Sequence, residues 1–326
     1  MILIKRDVLK LIMQEMKFKL LICIGLFHLS AWAQTGNNIS EKLNSYMISV
    51  RTEQYNPNPD KELLNEKNAE KLLLLLESYY NDSLTKVRLQ AYYLTYKTTY
   101  KSTDNKNRTD AVYRLVNGLK DSDAGNVGNV ADWLTNFKAS DFTSVSKDSL
   151  ISVLHNPVSN LHKIIKLVAF AGITDQINYL QQGITTKTIT TGKNLWAAHL
   201  ALARFGVESE IEYCVIQVKN QAVNDDVIYE LIPDLIYTRQ RKAYDYILTI
   251  LNSTQKNCYS ANPENPQKIE CGYRVMEYLA PVIKNFPLEI DSTGELLTND
   301  YVNALKTLRN WFKENEQTYE IITDTY

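Results

Sequence analysis

Beyond Ser40 the apolar positions recur at helical spacing in successive blocks, parted by short polar breaks in which most of the Pro and Gly fall. Convincing period-two alternation is scarce. The segment AEKLLLLLESYY (69–80) predicts one helix. After Asn81-Asp82-Ser83, where Asp82 or Ser83 can cap, LTKVRLQAYYLTYKTTY predicts a second, antiparallel helix and hence a hairpin. The same alternation continues through 108–137, with a turn after Asp123, and through 148–172, with a turn at Asn156-Pro157. NLWAAHLALARFG (194–206) predicts a further second helix, with Ala198, Leu202 and Phe205 on one face and Gly206 ending it. A fifth hairpin is expected from 208–219 and 225–238. Residues 241–253 then pair with 268–286 across a loop flanked by cysteines. An amphipathic helix over 299–316 closes the series, with Val302, Leu305, Leu308 and Phe312 on its apolar stripe.

The second helices share a register. Val87 and Ala91 stand four apart, as do Val127 and Ala131, and Leu161 and Ile165. Their starting positions, 87, 127, 161 and about 195, are spaced by 40, 34 and about 34 residues. LLLLLESYYNDSLTKVRLQA (72–91) resembles the L-x-x-L-L-x-D-x-x-x-x-V-R-x-x-A pattern of the HEAT-repeat superfamily, and ALARFG (201–206) resembles its A-L-A-R-x-G ending. The repeat arginine, Arg88, is replaced by Gly128 in the second copy and His162 in the third. The W-x-x-L-G-x-x-Y pattern of tetratricopeptide repeats is not found. The resemblance covers roughly 66–286. It implies an all-α, right-handed α-solenoid of about five to six stacked antiparallel hairpins, with 34–65 as an N-terminal capping segment and 287–326 as a C-terminal capping helix and tail. The physics agrees, since a single hairpin is too small to bury its own apolar face and needs its neighbours.

The N-terminus bears on compartment. In MKFKLLICIGLFHLSAWA (16–33), Lys17 and Lys19 precede an apolar run from Leu20 to Leu29, and Ala31-Trp32-Ala33 supplies a small-x-small cleavage signal before Gln34. The run is about half of the roughly 20 residues a bilayer span needs. Residues 1–33 are therefore expected to be a signal peptide cut between Ala33 and Gln34, with 1–15 a mis-called upstream start or a long n-region. A secreted or periplasmic chain without stable membrane insertion follows. In an oxidising compartment Cys258 and Cys271 are expected to pair, closing the Pro/Asn-rich loop between them at a gain of about 3 kcal/mol. Cys214, on an apolar helical face, is expected to be a buried thiol.

The chain balances 36 Lys+Arg against 37 Asp+Glu, for a net charge of −1, and shows no electrostatic footprint for nucleic acid or anionic lipid. His155, His162 and His199 have no H-E-x-x-H or Cys/His companions. Gly192-Lys193 is followed by Asn194 and has no glycine five before it, so it is a turn and no phosphate loop. G-x-S-x-G is absent, and Asp225-Asp226 sit where first-turn helix acids belong. No catalytic, metal or cofactor residue is predicted. Sequons begin at Asn38, Asn81, Asn107 and Asn252.

Tyrosine is the enriched residue, with 21 copies. Tyr92, Tyr93, Tyr96 and Tyr100 lie on or beside the face opposite Val87, Ala91 and Leu94. Because second helices of HEAT-like arrays line the concave surface, the resemblance makes this stripe a candidate protein-binding site. The expected role is a non-enzymatic protein-binding scaffold or assembly factor with an unidentified protein partner. The alternatives are a ligand- or cofactor-handling enzyme or lyase helper, and a structural envelope or surface-adhesion component.

Overall fold

A computed structural model describes residues 39–52, 57–156, 159–190, 192–261, 264, 266–291 and 294–326. The expected signal peptide, its cleavage point at Ala33/Gln34, the 1–15 extension and the sequon at Asn38 lie outside these residues. The described chain is mostly α-helical and divides into two compact units at Thr103/Asp104.

The first unit contains α1 (39–52), α2 (Ala69–Leu76) and α3 (Thr85–Thr99), with single 3₁₀ turns at Glu66–Asn68 and Glu77–Tyr79. The helix expected over 69–80 therefore tightens after Leu76. Leu43, Met47 and Val50 of α1 close over Leu72 and Leu76 of α2 and over Val87, Ala91 and Leu94 of α3. Asp82 makes the expected turn by accepting the Leu84 N–H at 2.9 Å, and it also receives the Arg51 guanidinium. Arg88 donates back to the Asp82 carbonyl at 2.8 Å. Thr98 Oγ1 donates to the Leu63 carbonyl at 2.9 Å, and Glu66 Oε1 collects the Ser102 hydroxyl and the Thr103 N–H, fixing the C-terminal end of α3 to the segment before α2.

The second unit runs α4 (Asn105–Gly118), α5 (Ala124–Leu134), α6 (Ser144–His155), α7 (Leu161–Phe170), α8 (Ile177–Thr185), α9 (Gly192–Arg204), α10 (Glu208–Lys219), α11 (Ile232–Thr238), α12 (Arg241–Asn252), α13 (Gly272–Leu279) and α14 (Tyr301–Glu314). Asp104, Asp123, Thr143 and Asp300 each cap the helix that follows through a side-chain oxygen. Gly172 (φ 69°) and Gly206 (φ 89°) end α7 and α9 in the left-handed conformation that glycine adopts without steric cost. Helices touch their chain neighbours and also the element two further along: α4 with α6, α5 with α7, α7 with α9, α9 with α11, α10 with α12 and α11 with α13. The core is the row of Val112, Leu115, Val127, Val130, Ile164, Val168, Ala198, Leu202, Leu235 and Ile247, all fully buried.

Several local expectations are corrected. The helix α8 (INYLQQGIT) falls where none was read, because it is short and buries only Leu180 and Gly183; Ile189, after it, folds back against Gly183. The turn before α11 is a π turn, Val227–Leu231, since Pro233 has no N–H for the regular ladder and Ile232 donates to the Val227 carbonyl instead. Leu161 is only half-buried and Ile164 takes its core place beside Ile165. On α14, Val302 is 69% exposed and Ala304 replaces it on the stripe with Leu305, Leu308 and Phe312.

Cys258 and Cys271 form the expected disulfide, with their Cα atoms 5.1 Å apart. The loop it closes holds a small antiparallel ribbon, β1 (Cys258–Tyr259) with β2 (Lys268–Ile269). Cys214 is fully buried, and that burial pushes its thiol far above the thiolate range. Among the described residues no helix is long and apolar enough to cross a membrane.

Candidate functional site

The polar groups of the second unit converge on the helix ends α7, α9 and α11, and what they grip is the chain's own segment 318–326. α14 ends at Glu314, and Asn315 turns the chain back, its carbonyl accepting the Thr318 and Tyr319 N–H groups. The Tyr319 ring lies under the Arg241 guanidinium at 3.7 Å and edge-on to Phe312. Burial pushes this phenol up to about 12 although Arg241 opposes the shift, and its hydroxyl makes no hydrogen bond among the described residues. The segment then pairs as a short β-bridge with the chain after α13. Glu320 O accepts from Lys284 N at 3.0 Å, and Ile322 N donates to Val282 O at 2.8 Å.

The last four residues enter a cradle of two arginines. Arg204, at the end of α9, donates to the carbonyls of Thr323 (3.1 Å) and Thr325 (2.8 Å) while holding the Tyr237 carbonyl at 2.6 Å. Arg239 donates to the main-chain oxygen of Tyr326 at 2.6 Å and to the Thr325 hydroxyl at 3.1 Å, with its other arm on the Ile236 carbonyl. Arg239 has φ 58°, a left-handed backbone rare for a side-chain-bearing residue, and is 7% exposed. Its Nε makes no hydrogen bond among the described residues. Strain of this kind persists only where the surroundings enforce it. Here α11 must stop and turn so that one guanidinium can face both the helix end and the incoming strand.

The Tyr326 ring fills an aromatic box. Phe170 meets it edge-on with centroids 5.4 Å apart, Tyr237 leans on it at 5.0 Å, and Lys166 Nζ lies 5.6 Å from its centroid. Lys166 is aimed by Asp234 (2.8 Å), whose other oxygen accepts the Trp196 indole N–H at 2.6 Å, so α7, α9 and α11 contribute one group each. The Tyr237 hydroxyl donates to the Lys166 carbonyl at 2.7 Å. Burial holds the Tyr237 and Tyr326 phenols well above their ordinary range and pulls Arg204 below its own. At the far end Asp324 crosses to the turn before α6. Its carboxylate accepts the Ser140 N–H (2.9 Å) and hydroxyl (3.1 Å), and its carbonyl accepts the Ala139 N–H. The arrangement holds main-chain oxygens by charge-assisted donors and encloses one aromatic ring. It contains no nucleophile–base pair.

The residues singled out in the sequence lie elsewhere. Tyr92 is 4% exposed and stacks on Tyr80 at 5.5 Å, so its ring belongs to the first unit's interior, and it is corrected from a surface anchor to a packing residue. Its place follows from Tyr80 reaching back over α3 to bond Thr95. Tyr96 and Tyr100 lean together at 4.6 Å with Lys97 near both rings, and Tyr93 is half-buried beside them. His155 bonds Gln176 at 2.7 Å and stacks on Tyr179. His199 bonds Glu210 at 2.5 Å and packs against Tyr213. His162 is lowered by burial and by Lys163, Lys193 and Lys166. Among the described residues no group of three or more His, Cys, Asp or Glu could hold a metal ion. Asn81 and Asn252 are exposed, whereas Asn107 is 8% exposed and closed to modification in the fold. A cleft of ≈ 460 Å³ between α12 and α14 is lined by Asp245, Asn252, Arg309 and Lys313, among others.

The cradle was missed because its parts are far apart in sequence. Arg204 was visible only as the arginine of ALARFG, and segment 318–326 has no periodicity. The one local signal was the basic, tyrosine-flanked run YTRQRKAY (237–244) directly after a helix. The chain matches no protein-family model, no curated protein and no solved structure.

Proposed function

We propose that this chain is a non-enzymatic, protein-binding scaffold of the secreted or periplasmic space, built as a HEAT-like α-solenoid that holds a segment of another protein. The contact pattern of neighbours and next-neighbours along α4 to α13 supports the stacked-hairpin reading. The disulfide supports an oxidising compartment. One observation carries the function: Arg204 and Arg239 present guanidinium donors to main-chain oxygens of residues 323–326 while Phe170, Tyr237 and Lys166 surround the Tyr326 ring, a combination of groups with which a protein surface can hold a peptide. Fold analogy alone would not reach this far.

The test is cross-linking of the chain in its own cells, followed by reconstitution of any captured protein with the purified chain. A stoichiometric complex is expected. A saturable small-molecule effect on melting temperature, with no reconstituted protein complex, would replace the scaffold by the ligand-handling alternative.

A further inference from the structure

We propose that residues 323–326 are a built-in competitor, and that the cradle of Arg204, Arg239, Lys166 and Tyr237 is the site for a partner segment carrying a carboxylate–hydroxyl–aromatic series like Asp324-Thr325-Tyr326. The inference rests on the scaffold reading and specifies its site, its ligand class and its regulation.

Three observations carry it. First, most of the gripping bonds go to main-chain oxygens of Thr323, Thr325 and Tyr326, which any polypeptide supplies. Second, selectivity is confined to three side chains: the Asp324 carboxylate on Ser140, the Thr325 hydroxyl on Arg239 and the Tyr326 ring in its box. Third, the occupant leaves the site incompletely satisfied. Arg239 is 7% exposed, yet its Nε has no acceptor among the described residues. A buried donor left open is a place where a replacement segment can gain a bond. A segment that must leave when a better ligand arrives gains from a deficit, and a partner that offers one more acceptor to Arg239 outcompetes it. Tethering sets the threshold, because a linked segment acts at an effective concentration in the millimolar range, and apparent affinity for a partner is reduced to the fraction of time the site is open.

The probe is a fluorescent peptide carrying the sequence of residues 317–326, read by anisotropy against the full-length chain. The segment is loosened by Asp324→Ala with Tyr326→Ser, which leaves every cradle residue intact, and hydrogen exchange at 319–326 reports its release. The labelled peptide should bind the loosened chain at least tenfold more tightly than the intact one. It should lose that binding when its own last tyrosine is replaced by serine, or when Arg204→Met is added to the loosened chain. If the loosened chain stays folded and its segment exchanges freely, yet the peptide does not bind, the segment is a structural strap only and the proposal falls. It falls equally if the double substitution leaves exchange at 319–326 as slow as in the intact chain, since the segment is then not displaceable. Peptide binding without any cellular partner would sink the scaffold reading alone. A partner held on another surface, with no peptide binding, would sink this inference alone.

Discussion

Arg108→Met should be among the most damaging single substitutions in the second unit. Arg108, in the first turn of α4, donates Nε to Asp141 Oδ1 at 3.0 Å, and the Asp141 side chain is 0% exposed. The other carboxylate oxygen accepts the Lys138 N–H at 3.0 Å, closing the short turn that connects α5 to α6. Removing the guanidinium strands a charge with one remaining donor, and breaking a buried pair in this way costs about 3–5 kcal/mol. With that donor retained, the lower end, about 3 kcal/mol, is expected. At a urea dependence of about 3 kcal/mol per molar, the unfolding midpoint should fall by roughly 1 M. Asp141→Asn should cost less, about 1–2 kcal/mol, because the guanidinium keeps Asn105 Oδ1 at 3.0 Å and is itself 17% exposed. The double variant should recover to within about 1 kcal/mol of the parent, since neither charge is then buried alone. Urea unfolding of all four proteins, followed by circular dichroism, gives the cycle. A double variant less stable than Arg108→Met alone would refute the reasoning, because it would place the arginine's contribution in its aliphatic packing.

Replacing both Cys258 and Cys271 by Ala should cost about 3 kcal/mol by release of the 13-residue separation they close, measured as the loss in urea unfolding free energy under non-reducing conditions; a loss below about 1 kcal/mol would place the order of that loop in the ribbon instead. Gly272→Ala should destabilise by about 1–3 kcal/mol, because a Cβ there would stand 2.8 Å from the Leu251 carbonyl, with Arg309 at 3.2 Å; an unchanged melting temperature would show that α12 and α13 can part freely. His162 is held below its ordinary range by burial, Lys163, Lys193 and Lys166, against Asp132. The unfolded chain therefore binds more protons below about pH 6.5, and stability should fall as the pH drops through that window. His162→Gln should flatten this slope between pH 7.5 and 5, and an unchanged slope would assign it to other groups.

Legibility differed between helix and site for a physical reason. Val87, Ala91, Val127 and Ala131 announced their burial because helical periodicity repeats over several turns, and all four are covered. The Cys258–Cys271 pair was readable because proximity in sequence and a turn-rich loop leave little else to pair. α8 escaped because its burial rests on two residues, and Val302 misled because one apolar residue in a first turn has the right angle without a neighbour to meet it. The cradle around Tyr326 was hidden more thoroughly. Arg204, Arg239 and Lys166 are each ordinary surface residues by type, and only the folding of α7, α9 and α11 side by side turns them toward one strand. Of the tyrosines, Tyr92 is buried against Tyr80, while Tyr237 and Tyr326 meet in the cradle, a pairing that no local pattern announces.

The bond between Asp324 and Ser140 also bears on how the molecule forms. Every major helix contact in the second unit joins elements close in sequence, which favours rapid assembly. Asp324 and Ser140 are 184 residues apart. Closing a loop of that length costs about 1.5 kcal/mol more entropy than closing one the size of a single hairpin, at about 0.6 kcal/mol per doubling. The closure has little to offset it until Arg204, Arg239 and the Ser140 turn are already in place. The helices should therefore appear first, in a fast phase, and the Asp324 contact in a later one that refolding kinetics can resolve. The same order run backwards predicts that this segment opens before the helical array, to be read as faster hydrogen exchange at 319–326 than in α7, α9 and α11.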